Sequence, residues 1–242
     1  MTRRVFRIGT AGWNVPRTES GFPEHGSHLE RYSAVFSAVE INSSFYRPHR
    51  RKTYERWAAW VPESFQFSVK VPKAITHESR LFSAESLIEQ FLEEVGGLGR
   101  KLGALLVQLP PTLRLDEELA SRFFEGLRER TTVSVVCEPR HRTWFTSTAE
   151  SLLERYQIAR VAADPAVVPD AARPAGHNRT IYYRLHGSPR VYYSAYQETA
   201  LQEIAQRMEE RRRTEAVWCI FDNTAEQAAI PDARKLMALL EG

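Results

Sequence analysis

The 242-residue sequence predicts a (β/α)8 barrel, and three observations lead there. Eight short apolar runs recur along the whole length, stretches with helical periodicity separate them, and many of the runs carry a second, polar face. Strand alternating with helix calls for a parallel sheet, and eight repeats in about 240 residues is the size of such a barrel. A doubly wound open sheet is the competing architecture. No linker-like composition shift or low-complexity tract divides the chain, so residues 1–242 are expected to form one domain.

In chain order, the strands are expected at Val5–Thr10, Ala38–Ser43, Phe65–Val71, Gly103–Leu109, Val133–Glu138, Ala159–Asp164, Ile181–His186 and Val217–Asp222. Helices are expected at His28–Ser37, Lys52–Trp60, Ala84–Leu98, Glu117–Glu129, Ser147–Arg155, Glu198–Arg212 and Ala225–Leu240, each with apolar residues three and four apart. Ser83 and Thr146 stand where helix N-caps belong. The glycines of 96-GGLG-99 read as a helix stop. The stretch 165-PAVVPDAARPAGHNRT-180 holds three prolines and a glycine, which excludes a normal sixth helix and predicts an irregular crossover.

Composition bounds the function. With 43% hydrophobic and 26% charged residues the chain can bury a substantial core. No run reaches the roughly 18 apolar residues of a membrane span, so no membrane partner is expected. The start MTRRVFRIGT passes from Arg3 and Arg4 into a strand pattern without a signal-peptide core, so a cytoplasmic location is expected. Cys137 and Cys219 lie inside apolar runs without metal-site spacing and read as small buried hydrophobes. A net charge of +3 permits nucleic-acid binding without indicating it. The basic run 211-RRR-213 closes a helical stretch, where cations suit the negative end of the dipole.

Strand parity then locates a site. Residues two apart share a face, so Val39 and Ile41 oppose Glu40 and Asn42, while Phe67 and Val69 oppose Ser68 and Lys70. Gln108, Glu138, Asp164, Arg184, His186 and Asp222 continue the polar series at or near strand ends. In a barrel the helix-facing side must be apolar, so these groups are expected to point inwards and to meet at the C-terminal mouth. A buried network of mutually satisfied polar groups is the structural alternative. The run 137-CEPRHRTW-144 crowds Glu138, Arg140, His141 and Trp144 into one turn, as a binding loop does. Trp13, Phe45, Tyr46, Tyr192 and Tyr196 fall just beyond strand ends, where aromatics stack on sugars or bases, or simply pack. Glu40, Glu138, Asp164, His186 and Asp222 are possible metal ligands without the spacing of a metal motif, so a metal and any cofactor stay open. Walker, GxGxxG and GxSxG loops are absent.

With these residues assembled, the sequence resembles the YecE-like family, a domain of unknown function (domain of unknown function 72). The matching segments are 8-IGTAGW-13, 40-EINSSFY-46, 67-FSVKVPKAITH-77, 103-GALLVQLP-110, 138-EPRHRTW-144, 182-YYRLHG-187 and 221-FDN-223, spread in order over almost the whole chain. The resemblance implies a TIM-like barrel and supplies no reaction. It adds His77 and Asn223 to the candidate residues. At the eighth strand the family pattern is an Asn pair, whereas here Asp222 precedes Asn223, which changes the local charge.

Two functions fit. The first is a hydrolase-type enzyme acting on a phosphate-containing or other anionic substrate at the barrel mouth. Glu138, His186, Glu40 and Asp164 would carry the acid-base chemistry, and Trp13, Asn42, Tyr46, Lys70, His77, Gln108, Arg140, Trp144, Arg184, Asp222 and Asn223 would bind the substrate. The second is a non-catalytic protein using the same pocket for an anionic metabolite or nucleic acid. A partner interface on the outer helices has no feature of its own in its favour.

Overall fold

The computed structural model describes residues 6–17, 19–211, 214 and 216–241. Among the described residues, period-two runs become ten strands in two sheets. In the first sheet β1 (Phe6–Thr10) pairs in parallel with β10 (Ala216–Phe221), β10 with β9 (Thr180–Leu185), and β9 with β7 (Ala162–Asp164). In the second, β2 (Ala38–Ile41), β3 (Gln66–Lys70), β4 (Leu102–Gln108), β5 (Ser134–Glu138) and β6 (Ile158–Arg160) run parallel, and the short β8 (Ala175–Gly176) adds antiparallel to β6. The sheets meet at two places. Ala11 bridges Glu40 in parallel, with Gly12 N donating to the Glu40 carbonyl at 2.9 Å. At the other seam β6 pairs with β5, Val161 N donates to the Cys137 carbonyl at 2.8 Å, and β7 then pairs with β9.

The expected strand Ala159–Asp164 is thus divided at Val161. The division has a consequence for parity. Ala159 and Val161 join the inner apolar cluster, whereas Ala162 joins the outer core beneath the helices. Asp164 has the parity of Ala162, so its strand-end position does not turn it inwards.

Among the described residues, seven α-helices follow the expected stretches: α1 (His28–Ser33), α2 (Arg51–Trp60), α3 (Glu85–Val95), α4 (Glu117–Arg130), α5 (Ser147–Arg155), α6 (Glu198–Glu210) and α7 (Ala229–Glu241). A capping box starts α1, where Glu30 N donates to Ser27 Oγ and Ser27 N donates to Glu30 Oε2. Thr146 caps α5 as expected, accepting from Ala149 N at 3.3 Å. Ser83 does not cap α3. That position falls on Ala84, and Ser83 has φ 46°, away from the extended backbone a capping side chain needs. Helix α3 stops at Gly96, and a 3-10 segment continues to Lys101. Residues 165–179 hold only the 3-10 turn Pro169–Ala172 and β8, so the crossover is irregular as its prolines require. Val5, Arg3, Arg4, Arg212 and Arg213 lie outside the described residues.

Two apolar layers result. The outer layer packs Val39, Val69, Leu105, Val135 and Tyr183 against Leu29, Phe91, Phe124, Leu153 and Leu236 of the helices, and it contains Cys137 and Cys219. The inner layer is small residues around two large ones: Ala38, Ala104, Leu106 and Val136 beside Tyr182 and Trp218, whose rings stack 5.8 Å apart. Gly103 makes room, since a Cβ there would lie 2.6 Å from the Trp218 ring. No helix among the described residues is long and apolar enough to cross a membrane.

At Gly9 the chain passes so close to β2 that a Cβ would sit 2.1 Å from the Ala38 carbonyl oxygen. Gly9→Ala is therefore expected to lower stability to denaturant by about 3 kcal/mol or more. Gly126→Ala, inside α4 and meeting only the Arg130 guanidinium at 3.6 Å, is expected to raise it by about 0.5–1 kcal/mol.

Candidate functional site

Above the Tyr182–Trp218 floor the inward positions turn polar, beginning with Arg184 on β9. Its guanidinium has no exposure to solvent. Nη2 and Nε donate to Glu40 of β2 at 2.8 and 3.1 Å, and Nη1 donates to Glu138 Oε2 of β5 at 3.1 Å. Asp222, directly after β10, completes the ring with Oδ2 2.9 Å from Nη2. Three carboxylates thus enclose one cation. Tyr182, two residues before Arg184 and on the same face, donates its hydroxyl proton to Glu40 Oε2 at 3.0 Å. Burial and the neighbouring Glu40 charge push that phenol well above its ordinary pKa.

His186 continues the same face just beyond the C-terminal end of β9. Its Nε2 lies 3.0 Å from Glu138 Oε1 and its Nδ1 3.0 Å from Asp222 Oδ2. Burial alone would favour the neutral ring, but the Glu138 carboxylate and the bond to Asp222 outweigh it and raise the pKa above 6.5. Two carboxylate contacts at 3.0 Å are shorter than the guanidinium approaches of Arg140 and Arg184 to Nε2, at 3.3 and 3.4 Å, which agrees with an imidazolium donating from both nitrogens. Glu138 is saturated: besides Arg184 and His186 it accepts from Arg140 Nε at 3.1 Å and Gln108 Nε2 at 3.2 Å. Burial would raise its pKa, yet Arg184 and His186 hold it well below the usual carboxylate range. Asp222 is held down in the same way, chiefly by Arg184.

Lys70 ends β3 with the same inward parity. Its residue is 5% exposed, and Nζ sits 4.0 Å from the centre of the Phe45 ring. Burial first and Arg184 second push its pKa down to about 8, against the pull of Glu40, Asp222 and Glu138. His77, on a π-helical turn over Ala74–Glu78, packs edge-on to Phe45 at 4.9 Å. Burial, Lys70, Arg140 and Arg80 together lower its pKa, so cations gather at this rim.

The fold brings together Glu40, Lys70, Gln108, Glu138, Arg140, Arg184, His186 and Asp222, with His77 at the edge. Other candidates fall elsewhere. Asp164 accepts from the Tyr196 hydroxyl at 2.7 Å, away from the cluster and in keeping with its outward parity. Trp144 is buried and donates to the Leu113 carbonyl at 3.0 Å, and Trp13 packs edge-on against Trp57. His141 is a backbone cap, accepting from Thr143 N at 3.2 Å. Asn223 donates to the Ser194 carbonyl and to Asp232 Oδ2, tying the loop after β9 to α7. Asn42 follows β2 with a buried Oδ1 that has no partner, and Tyr46 is 68% exposed at the rim.

Three contributors escaped the sequence reading. Tyr182 was legible by parity with Arg184 but reads as apolar bulk. Ser68, whose Oγ lies 2.9 Å from the Tyr182 hydroxyl oxygen, reads only as a polar alternate. Asp232, fully buried on α7, receives Tyr196 N at 2.9 Å, and a lone acid on an apolar helical face was the available signal. Among the described residues no group of three or more His, Cys, Asp or Glu is arranged to hold a metal ion.

Known proteins share this arrangement of chain. The family model described as "Protein of unknown function DUF72" matches residues 7–242. The UPF0759 protein YunF of Bacillus subtilis is 24% identical over 97% of this chain and 94% of its own length. YecE of Escherichia coli K12 is 28% identical over 76% of this chain and 67% of its own. Among solved structures, a DUF72 family protein of Enterococcus faecalis V583 superposes with a TM-score of 0.81 at 20% identity, covering 98% of this chain and 96% of that one. One from Thermotoga maritima gives 0.79 at 22% identity, covering 98% and 100%. At these identities the superpositions speak for a TIM-barrel-like α/β fold alone. With the family model spanning nearly the whole chain, the protein belongs to the DUF72 family.

Proposed function

We propose that the mouth is an anion-binding catalytic site that hydrolyses a phosphate-containing small molecule. The eight ribbons would close as a (β/α)8 barrel, with the Ala11–Glu40 bridge as the seam between β1 and β2. The supporting observation is the charge balance of the cluster. Lys70, Arg140, Arg184 and His186 supply four cationic groups against the carboxylates of Glu40, Glu138 and Asp222, and three of the four cations are already paired. The surplus faces the rim, where Arg140 is 26% exposed and Lys70 lies beside Phe45. Such a site stabilises charge on a phosphoryl oxygen. Glu138 serves here by orienting cations, because its oxygens are already occupied, and His186 is the proton donor to the leaving group once the substrate displaces its Nε2 contact with Glu138.

A second reading, binding of single-stranded nucleic acid, is favoured by the rim aromatics. Tyr46 is 68% exposed and packs on Phe45, and Tyr192 is 40% exposed and packs edge-on to His186 at 5.8 Å. Affinity for such a strand that falls steeply with salt, without turnover, would favour this reading over catalysis.

Four outcomes test the site. A panel of phosphoesters, assayed with and without divalent metals, should contain a substrate whose turnover is lost in His186→Gln, and silence across the panel overturns the hydrolytic reading. Sulfate, whose charge is constant near neutrality, should bind the mouth in calorimetry. Its affinity should fall as pH rises from 6.5 through the raised His186 pKa and past about 8, since His186 and Lys70 lose their charge on that side. Arg140→Ala should weaken sulfate about ten-fold while stability stays within about 1 kcal/mol, because the side chain is partly solvated. Glu40→Gln should instead cost about 3 kcal/mol of stability by leaving Arg184 short of a buried counter-charge.

A further inference from the structure

Within the cluster and among the described residues, Lys70 is the cation without a carboxylate partner. Arg184, Arg140 and His186 each contact a carboxylate at 2.8–3.1 Å. Lys70 Nζ has the Phe45 ring instead, at 4.0 Å. The backbone holds it there: the Lys70 carbonyl accepts from Ser44 Oγ at 2.6 Å, which locks the end of β3 against the turn that carries Phe45. Charged and titratable groups bear on the amine from every side. Arg184 faces it from β9, Glu40 from β2, Glu138 from β5 and Asp222 from the end of β10, and Lys70 in turn acts on His77 at the rim. The three carboxylates turn their oxygens to the Arg184 guanidinium at 2.8–3.1 Å, so their field is spent largely on that group. Burial and Arg184 dominate at Lys70, and its pKa falls to about 8. A desolvated lysine beside another cation is the usual arrangement of an amine that acts as a nucleophile.

We propose that Lys70 is a nucleophilic amine that forms an iminium with the carbonyl carbon of an anionic aldehyde or ketone whose charged group is held by Arg140, with the charge of the His186 imidazolium behind it. The inference rests on the reading of the mouth as an anion site and names a substrate class for it. In the addition step the Nζ lone pair bonds to the carbonyl carbon and the carbon–oxygen π pair moves to oxygen, which takes a proton. Nitrogen then loses one proton, a second proton reaches the hydroxyl, and water departs as the C=N⁺ bond forms. The sum is amine plus carbonyl plus one proton giving iminium plus water, and hydrolysis reverses it without any redox partner. Phe45 supplies an apolar wall against which the carbonyl carbon would lie, and Arg140, which acts on His77 as Lys70 does, would hold the anion.

The test needs no knowledge of the natural substrate. Intact protein is incubated at pH 7.5 with pyridoxal 5′-phosphate, or with the much smaller glyoxylate, then reduced with borohydride, and the modified lysines are mapped by mass spectrometry. The chain's other lysines are internal standards: Lys52, Lys73 and Lys235 are exposed, while Lys101 donates to two backbone carbonyls at 2.7 and 2.8 Å. Lys70 should be labelled at least about ten-fold faster than Lys52, because a larger fraction of it is unprotonated, and sulfate should protect Lys70 alone. Labelling of Lys70 that sulfate leaves unchanged keeps the reactive amine and removes Arg140 and His186 as its anion clamp. Labelling by neither aldehyde above the Lys52 rate overturns the proposal, even where calorimetry shows sulfate bound. Reductive methylation with ¹³C-formaldehyde gives an independent reading. The dimethyl resonance missing in Lys70→Arg should titrate near 8, and a midpoint above about 10 would overturn the amine's role.

Discussion

A guanidinium without solvent contact lies where the ends of four strands converge, and the upper half of the interior is organised by it. Arg184 cannot lose its proton at any physiological pH, so its burial costs several kcal/mol unless anions surround it. Glu40, Glu138 and Asp222 are those anions, and each comes from a different strand. The requirement is mutual, since each carboxylate would be as costly alone. This ring of charge therefore ties the β2, β5, β9 and β10 ends to one another more specifically than apolar contact could, because only one arrangement satisfies every donor.

The layer below makes the ring effective. Tyr182 and Trp218 fill the interior with stacked rings, and Gly103 and the alanines of β2 and β4 leave them space. With no room for bulk water beneath, the charges above interact in a medium of low polarizability, which strengthens pairs and penalises any group left out. His186 takes the first consequence and is held as a cation between two carboxylates. Lys70 takes the second, being buried beside Arg184 with a phenyl ring for company, and its proton is loosely held.

The irregular crossover shapes the side of the molecule next to the loop that follows His186. Where a sixth helix would cover β7 and β9, the chain runs through a 3-10 turn and the two residues of β8, and α6 stands beside a cavity of about 360 Å³ that Asp164 and Tyr196 help to line. Tyr196 closes the gap locally by donating to Asp164 and accepting from Gly187 N, which steadies the loop next to His186. Asp232 on α7 anchors the same loop through Tyr196 N and Asn223. The charged cluster is thus braced by polar contacts that lie outside it.

Much of this was written in local pattern. Periodicity located eight ribbons and seven helices, prolines and glycine at 165–180 excluded a sixth helix, Thr146 marked a cap, and strand parity selected the faces that carry Glu40, Lys70, Glu138, Arg184 and His186. These features are decided within a few residues, by backbone stereochemistry and by side-chain alternation, so one sequence suffices to read them. What tertiary structure decided was pairing. Whether Glu138 is a free base or a saturated counter-ion, whether Tyr182 is bulk or donor, and whether Asp164 shares a face with the cluster or with Ala162 depends on which strand lies opposite and where β6 gives way to β7. The separations involved, 46 residues from Glu138 to Arg184 and 144 from Glu40 to Arg184, leave no local trace, because electrostatic partnership is set by distance in space and not along the chain.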